Sequence, residues 1–173
     1  MNIMLSNTAS KHPSSNAKMH KATLKSNWQS LLAFLLICFA VFAFGGLFQP
    51  GDWYAQLNRA PWSPPNIAFP ITWAFLYVMI AISGWQLHHS NNQSLKILWW
   101  SQLIFNALWS WLFFGQHWTL AGLIDLILID MLVINLALKA QRAGFTLSCL
   151  SLLPYIAWLL LATSLNTYIV FAN

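Results

Sequence analysis

The sequence predicts an all-α integral membrane protein, a bundle of five transmembrane helices, and three observations carry that prediction. Hydrophobic residues make up 58% of the 173 and charged residues only 6%, whereas a soluble domain carries about 25% charged residues. Five apolar runs of about twenty residues follow one another, each long enough to cross a hydrocarbon core of about 30 Å. Positive residues collect on alternate connections, as membrane topology requires. The net charge of +5 comes from the N-terminal segment and the span ends, with no basic stripe along any helix, so no nucleic-acid partner is expected.

Residues 1–27 hold Lys11, Lys18, Lys21 and Lys25 among Ser, Asn and Thr, which predicts a disordered basic tail. The membrane domain then covers residues 28–173. Its first span, 28–48, is too long for the apolar part of a signal peptide and is expected to stay in the protein. Further spans are expected at 69–87, 95–114, 118–138 and 145–171, separated by "HHSNNQS", "GQH" and "KAQRAG". With five spans, one side of the membrane collects the four tail lysines with Lys96, Lys139 and Arg142, and the other has Arg59 alone. The N-terminus is therefore expected in the cytoplasm, with the first loop and the C-terminal end on the far side, the periplasm if the membrane is a bacterial inner one. Trp28, Trp53, Trp99, Trp100 and Trp118 fall near span ends and read as interfacial anchors.

The first loop is unusual. "YAQLNRAPWSPPNIAFPITWAFLY", residues 54–77, combines one arginine with four prolines and two tryptophans. Each proline fixes its own φ and restricts the residue before it. Such a loop reads as a stiff lid or pocket rim.

Inside the spans, Asn106, Trp109 and Phe113 are spaced i, i+3, i+7, as are Trp73, Tyr77 and Ile80, so each set shares a helical face. In the last span Pro154, Trp158, Ala162, Leu165 and Asn166 form a third stripe, with Ala162 leaving room beside the indole. Aromatic stripes with few polar groups suit a flat, largely apolar ligand. The same pattern also fits plain helix packing, with Asn106 and Asn166 hydrogen-bonding across helices.

Asp125 and Asp130 are the carboxylates inside the spans, and their cost in lipid directs each toward the bundle, a cavity or a span end. Five residues apart they point about 140° from each other, which excludes a paired acid/base dyad on one face. A structural hydrogen bond to a neighbouring helix is the expectation for Asp125, with a proton relay as the alternative, and a lysine at a span end is a candidate partner for Asp130. Neither a nucleophile elbow nor a phosphate loop is present. His88 and His89 are adjacent and diverge, Cys38 and Cys149 lack ligand spacing, and no metal is expected.

"WYAQLNRAPWSPP" from Trp53 and "FPITWAFLYVM" from Phe69 resemble the signature of the tryptophan-rich sensory protein or translocator protein family, TspO/MBR, formerly the peripheral benzodiazepine receptors. "FNALWSWLFFG" from Phe105, "AGLIDLILI" from Ala121 and "LLPYIAWLLLATSLN" from Leu152 agree in order and spacing. The blocks cover nearly everything from Trp53 to Asn166. The resemblance implies a five-helix bundle, often homodimeric, that binds tetrapyrroles such as protoporphyrin IX or haem, with no further cofactor required. It implies a pocket opening toward the first loop, with Trp53, Arg59, Trp73, Tyr77, Asn106, Trp109, Phe113, Asp125, Trp158 and Ala162 as ligand-binding candidates. Tyr77, Asp125, Pro154 and Tyr155 match signature positions. Trp73 and Trp158 match the two tryptophans associated with light-dependent porphyrin degradation in some bacterial members, and would be catalytic on that reading.

Arg59 is expected to reach the ligand's propionates. Thr167 and Phe171 stand where animal members carry the tyrosine and arginine of a cholesterol-recognition pattern, so the chain resembles the bacterial type and no specific cholesterol site is expected. Three functions follow from the resemblance: a regulator or sensor that binds tetrapyrroles, an enzyme degrading photoexcited protoporphyrin, or a transporter of porphyrin or lipid. Against the last, the spans show neither an inverted repeat nor paired broken helices.

Overall fold

A computed structural model describes the backbone of residues 13–173 and the side chains of residues 28–173. Six α-helices follow in order: α1 (Pro13–Gly45), the short α2 (Asp52–Gln56), α3 (Ala68–His88), α4 (Gln93–Ser110), α5 (Thr119–Arg142) and α6 (Thr146–Ala172), with a π-helical turn, Trp111–Gly115, continuing α4. Five of these are long and apolar enough to cross a membrane, and the protein is a multi-pass integral membrane protein with the expected five-helix bundle. The expected tail lies partly outside the described residues, at 1–12. From Pro13 onward the backbone is already helical, so α1 begins fifteen residues before the apolar run that starts at Trp28.

Local chemistry sets the helix ends. Asn92 caps α4, its side-chain oxygen accepting from the backbone N–H groups of Ser94 at 3.1 Å and Leu95 at 3.4 Å, which satisfies donors with no partner inside the helix. Past the end of α5, Gly144 takes φ +82° and Phe145 N–H donates back to the carbonyl of Ala140 at 2.9 Å, a stop that favours glycine. Lys139 and Arg142 sit in the last turn of α5, where cations complement the helix dipole. Pro70 lies in the first turn of α3, where a missing N–H costs little.

The helices pack in cyclic order α1, α3, α6, α5, α4, with α4 closing back on α1. Between α3 and α4 the approach is close. A Cβ on Gly84 would collide with the Trp99 indole, whose N–H donates to the Ile80 carbonyl at 3.1 Å. Trp99 is 2% exposed, so it is a packing residue and not the interfacial anchor its position near a span end suggested; Gly84 is what admits it. Trp28, Trp100 and Trp118 are exposed. Gln86 ties α3 to α6, accepting from both the backbone N–H and the hydroxyl of Ser148 at 2.6 Å. Cys38 is buried and Cys149 half-buried, and both are free.

Candidate ligand-binding site

A cavity of about 400 Å³ lies inside the bundle beneath the first loop, within the 300–1,000 Å³ typical of small-molecule sites. Trp73 and Tyr77 of α3 face Asn106, Trp109 and Phe113 of α4 and its π-turn across it. Leu126 and Ile129 of α5, with Ala162, Leu165 and Asn166 of α6, complete the walls. The roof comes from Gln49 and Pro50 after α1, Tyr54 of α2, Asn66 of the loop before α3 and Phe69 of the first turn of α3.

The π-turn shapes one wall. Its wider winding is registered by the bond from Gln116 N–H to the Trp111 carbonyl at 2.9 Å, and the consecutive Phe113 and Phe114 both reach the cavity. Phe113 stacks on Trp109, centroids 5.2 Å apart and planes at 15°. Gly122 permits this packing, since a Cβ there would stand 3.2 Å from Asn166 Oδ1 and 3.3 Å from Phe113.

Four polar side chains in the walls, Tyr77, Asn106, Trp109 and Asn166, are tied into two hydrogen-bonded groups. Tyr77 OH donates to Asn106 Oδ1, and Asn106 Nδ2 donates to the buried Tyr155 OH at 2.8 Å, joining α3, α4 and α6. Trp109 Nε1 donates to Asn166 Oδ1 at 3.4 Å, while Asn166 Nδ2 donates to the Thr119 carbonyl at 2.9 Å. The two asparagines thus bridge helices and line the cavity at once. The packing and lining alternatives left open by their spacing are both realised.

Four sequence-derived candidates do not line this cavity. Trp53 stacks on His117 with centroids 4.1 Å apart and planes at 10°, bracing the lid against the α4–α5 turn, and its neighbour Tyr54 takes the roof position. Trp158 packs edge-on against Phe69 at 5.6 Å, behind the wall, because the α6 face that reaches the cavity is centred on Ala162 and Asn166. Arg59 lines a second, polar cleft of about 760 Å³ outside the lid, with Asn58, Ser63, Asn66 and Tyr168. Asp125 is 3% exposed with both carboxylate oxygens lacking a hydrogen-bond partner, so the expected bond to a neighbouring helix is not made; the cavity instead sees the next residue, Leu126. Asp130 accepts from Thr163 Oγ1 at 2.7 Å, in place of the expected lysine, and Lys139 donates to Ser94 at 3.0 Å. Among the described residues, no cluster of three or more His, Cys, Asp or Glu could hold a metal.

The end of α1 was missed as a wall. Phe42, Gly45, Gly46 and Phe48 all line the cavity, and a Cβ on Gly45 would approach Ser110 Oγ to 3.2 Å. The adjacent glycines were a visible signal, but small residues in a span equally mark helix association.

The lid is fastened to the end of α6. Asn58 N–H donates to Asn173 Oδ1 at 2.9 Å, Asn58 Nδ2 donates to the Ala172 carbonyl at 3.1 Å, and Asn173 Nδ2 returns a bond to the Asn58 carbonyl at 3.2 Å. Trp62 adds a bond from Nε1 to Ser164 Oγ at 3.3 Å and an edge contact with Tyr168 at 5.5 Å.

Comparison with known proteins agrees with this architecture. Residues 34–172 match the model of the TspO/MBR family. A tryptophan-rich protein TspO of Archaeoglobus fulgidus is 37% identical over 150 residues, covering 83% of this chain and 94% of the relative. Protein CrtK of Rhodobacter capsulatus is 32% identical over 138 residues, 77% of this chain and 86% of the relative. The translocator protein of Bos taurus is 31% identical over 120 residues, 66% of this chain and 70% of the relative. A five-helix membrane bundle with these sequence blocks, matched over most of its length, belongs to the TspO/MBR family.

Proposed function

We propose that the protein is a membrane regulator or sensor that binds a tetrapyrrole, protoporphyrin IX or haem, in the cavity under the first loop. The carrying observation is the cavity itself: a space inside the bundle walled by Trp73, Tyr77, Trp109, Phe113 and Ala162, in which the polar groups of Tyr77, Asn106, Trp109 and Asn166 are already paired. Aromatic faces favour a flat ligand by stacking, and paired polar groups add no desolvation penalty against an apolar one. "Sensory" stands in the name of a relative from Cereibacter sphaeroides, 28% identical over 144 residues. In this reading the N-terminus is cytoplasmic, since Lys96, Lys139 and Arg142 share its side and Arg59 stands alone on the other. The membrane is a bacterial inner membrane and the protein works as a homodimer. Titration with protoporphyrin IX in the dark, following tryptophan quenching, tests the reading: saturable binding lost in Ala162→Phe supports it, and binding indifferent to that substitution contradicts it.

A second reading, light-dependent oxidative degradation of bound protoporphyrin, is favoured by the aromatic neighbours of Trp73. Trp73 lines the cavity beside Tyr77, ring centroids 5.6 Å apart, and its ring lies 6.2 Å from the buried Tyr155 outside the lining, so oxidisable rings adjoin the ligand space. Trp158 stands behind Phe69. Bleaching under illumination in air that slows in Trp73→Phe would establish this activity, and an unchanged spectrum would remove it.

A further inference from the structure

We infer that the polar cleft outside the lid is a carboxylate subsite, read by Arg59, that makes the protein select flat amphiphiles bearing an acidic arm over their neutral counterparts. This deepens the reading of the cavity as a tetrapyrrole site and rests on it. The two chambers adjoin at one residue: Asn66 lines both the apolar cavity and the polar cleft. Arg59 is held at that junction. Its Nη1 donates to Asn66 Oδ1 at 3.4 Å, and its guanidinium lies 5.6 Å from the ring centroid of Tyr54, a residue of the cavity roof.

The charge balance supports an anionic occupant. The chain has three acidic residues, and Asp125 and Asp130 are buried in α5, which leaves Asp52 as the one side-chain carboxylate on the loop side. Asn58, Ser63 and Tyr168 surround Arg59 in the cleft with groups able to donate to oxygen. A guanidinium takes a carboxylate through two parallel N–H···O bonds, whereas an ammonium offers only a point charge. A ring system seated against Trp73 and Trp109 with an arm passing Asn66 would place its carboxylate at Arg59. The phosphate of a lipid headgroup is an oxyanion with related chemistry, and exposed apolar Trp62, Ile67 and Ile71 lie near the cleft residues in sequence.

The test uses the full chain in phosphatidylcholine nanodiscs, titrated in the dark with protoporphyrin IX and with its dimethyl ester. The wild type is expected to favour the diacid by about tenfold, the scale of one charge-assisted pair. Arg59→Gln should bring that ratio close to one, and Arg59→Lys should keep part of it. Equal affinities in the wild type, or a ratio unchanged by Arg59→Gln, overturn the inference. With phosphatidylglycerol discs, a retained ratio supports the ligand's own carboxylate as occupant; a ratio lost in the wild type alone assigns the cleft to a lipid headgroup and overturns it. If neither porphyrin binds, the tetrapyrrole reading fails, and pyrenebutyric acid against its methyl ester decides the subsite separately, by the same ratio and the same variants.

Discussion

Asn173→Ala removes two of the three hydrogen bonds that hold Asn58 of the lid to the end of α6, leaving the bond from Asn58 Nδ2 to the Ala172 carbonyl. These groups are exposed, so each bond contributes at the low end of the usual range, about 0.5 kcal/mol. Together they amount to about 1 kcal/mol, a factor of about five in the equilibrium between fastened and open lid. Where closing is faster than escape, release and entry both scale with the open fraction. The off-rate of bound protoporphyrin IX should therefore rise about fivefold, on the same bond energies, while the dissociation constant moves much less. Stopped-flow recovery of tryptophan fluorescence on dilution into a scavenger reads the off-rate, and Asn91→Ala, in the turn between α3 and α4 at the opposite end of the bundle, serves as control. An off-rate in Asn173→Ala equal to that of the control would refute the reasoning and show that ligand exchanges by a route that leaves the fastening intact.

Three further outcomes follow from packing and geometry. Gly84→Ala should lower thermal stability through the Trp99 indole by about 1–3 kcal/mol, the range for overpacking, whereas Gly51→Ala, with nothing within 4 Å of the added Cβ, should leave it nearly unchanged; equal melting temperatures would contradict the packing account. Ala162→Phe should fill the cavity and abolish saturable protoporphyrin binding while Trp158→Phe, behind Phe69, preserves most of it. Asn106→Leu should destabilise by about 1–3 kcal/mol, because it strands the Tyr77 and Tyr155 hydroxyls in the core, and a stability equal to wild type in detergent melts would show that those hydroxyls find other partners.

Much of the fold was legible because lipid imposes one rule on every span: about twenty apolar residues and satisfied backbone groups. The span limits inferred from hydropathy fall close to the helices. Of the stripes read from spacing, Asn106, Trp109 and Phe113, then Trp73 and Tyr77, and then Ala162, Leu165 and Asn166 reach the cavity, whereas Ile80, Pro154 and Trp158 do not line it. Helical period decides which side chains share a face, not how far along that face the cavity extends. Depth and rotation were not legible. Trp99 reads like Trp100 in sequence, and only the space above Gly84 separates a buried indole from an exposed one. Asp125 was expected to bond a neighbouring helix because burial of a lone carboxylate is costly, yet both its oxygens lack partners. The π-turn left no mark in "WLFFG", because one added residue per turn depends on tertiary packing around Phe113 and Phe114. Arg59 was linked to the ligand by charge alone, and its cleft, separate from the cavity, depends on how the lid meets α6.

The most direct test of tetrapyrrole binding in the cavity is a dark titration of the solubilised protein with protoporphyrin IX, comparing wild type with Ala162→Phe by quenching of tryptophan fluorescence. The account predicts saturable quenching in the wild type, with Trp73 and Trp109 in contact with the ligand, and its loss in the filled-cavity variant at unchanged melting temperature. Saturable quenching of equal affinity in both proteins would place the ligand elsewhere and contradict the account.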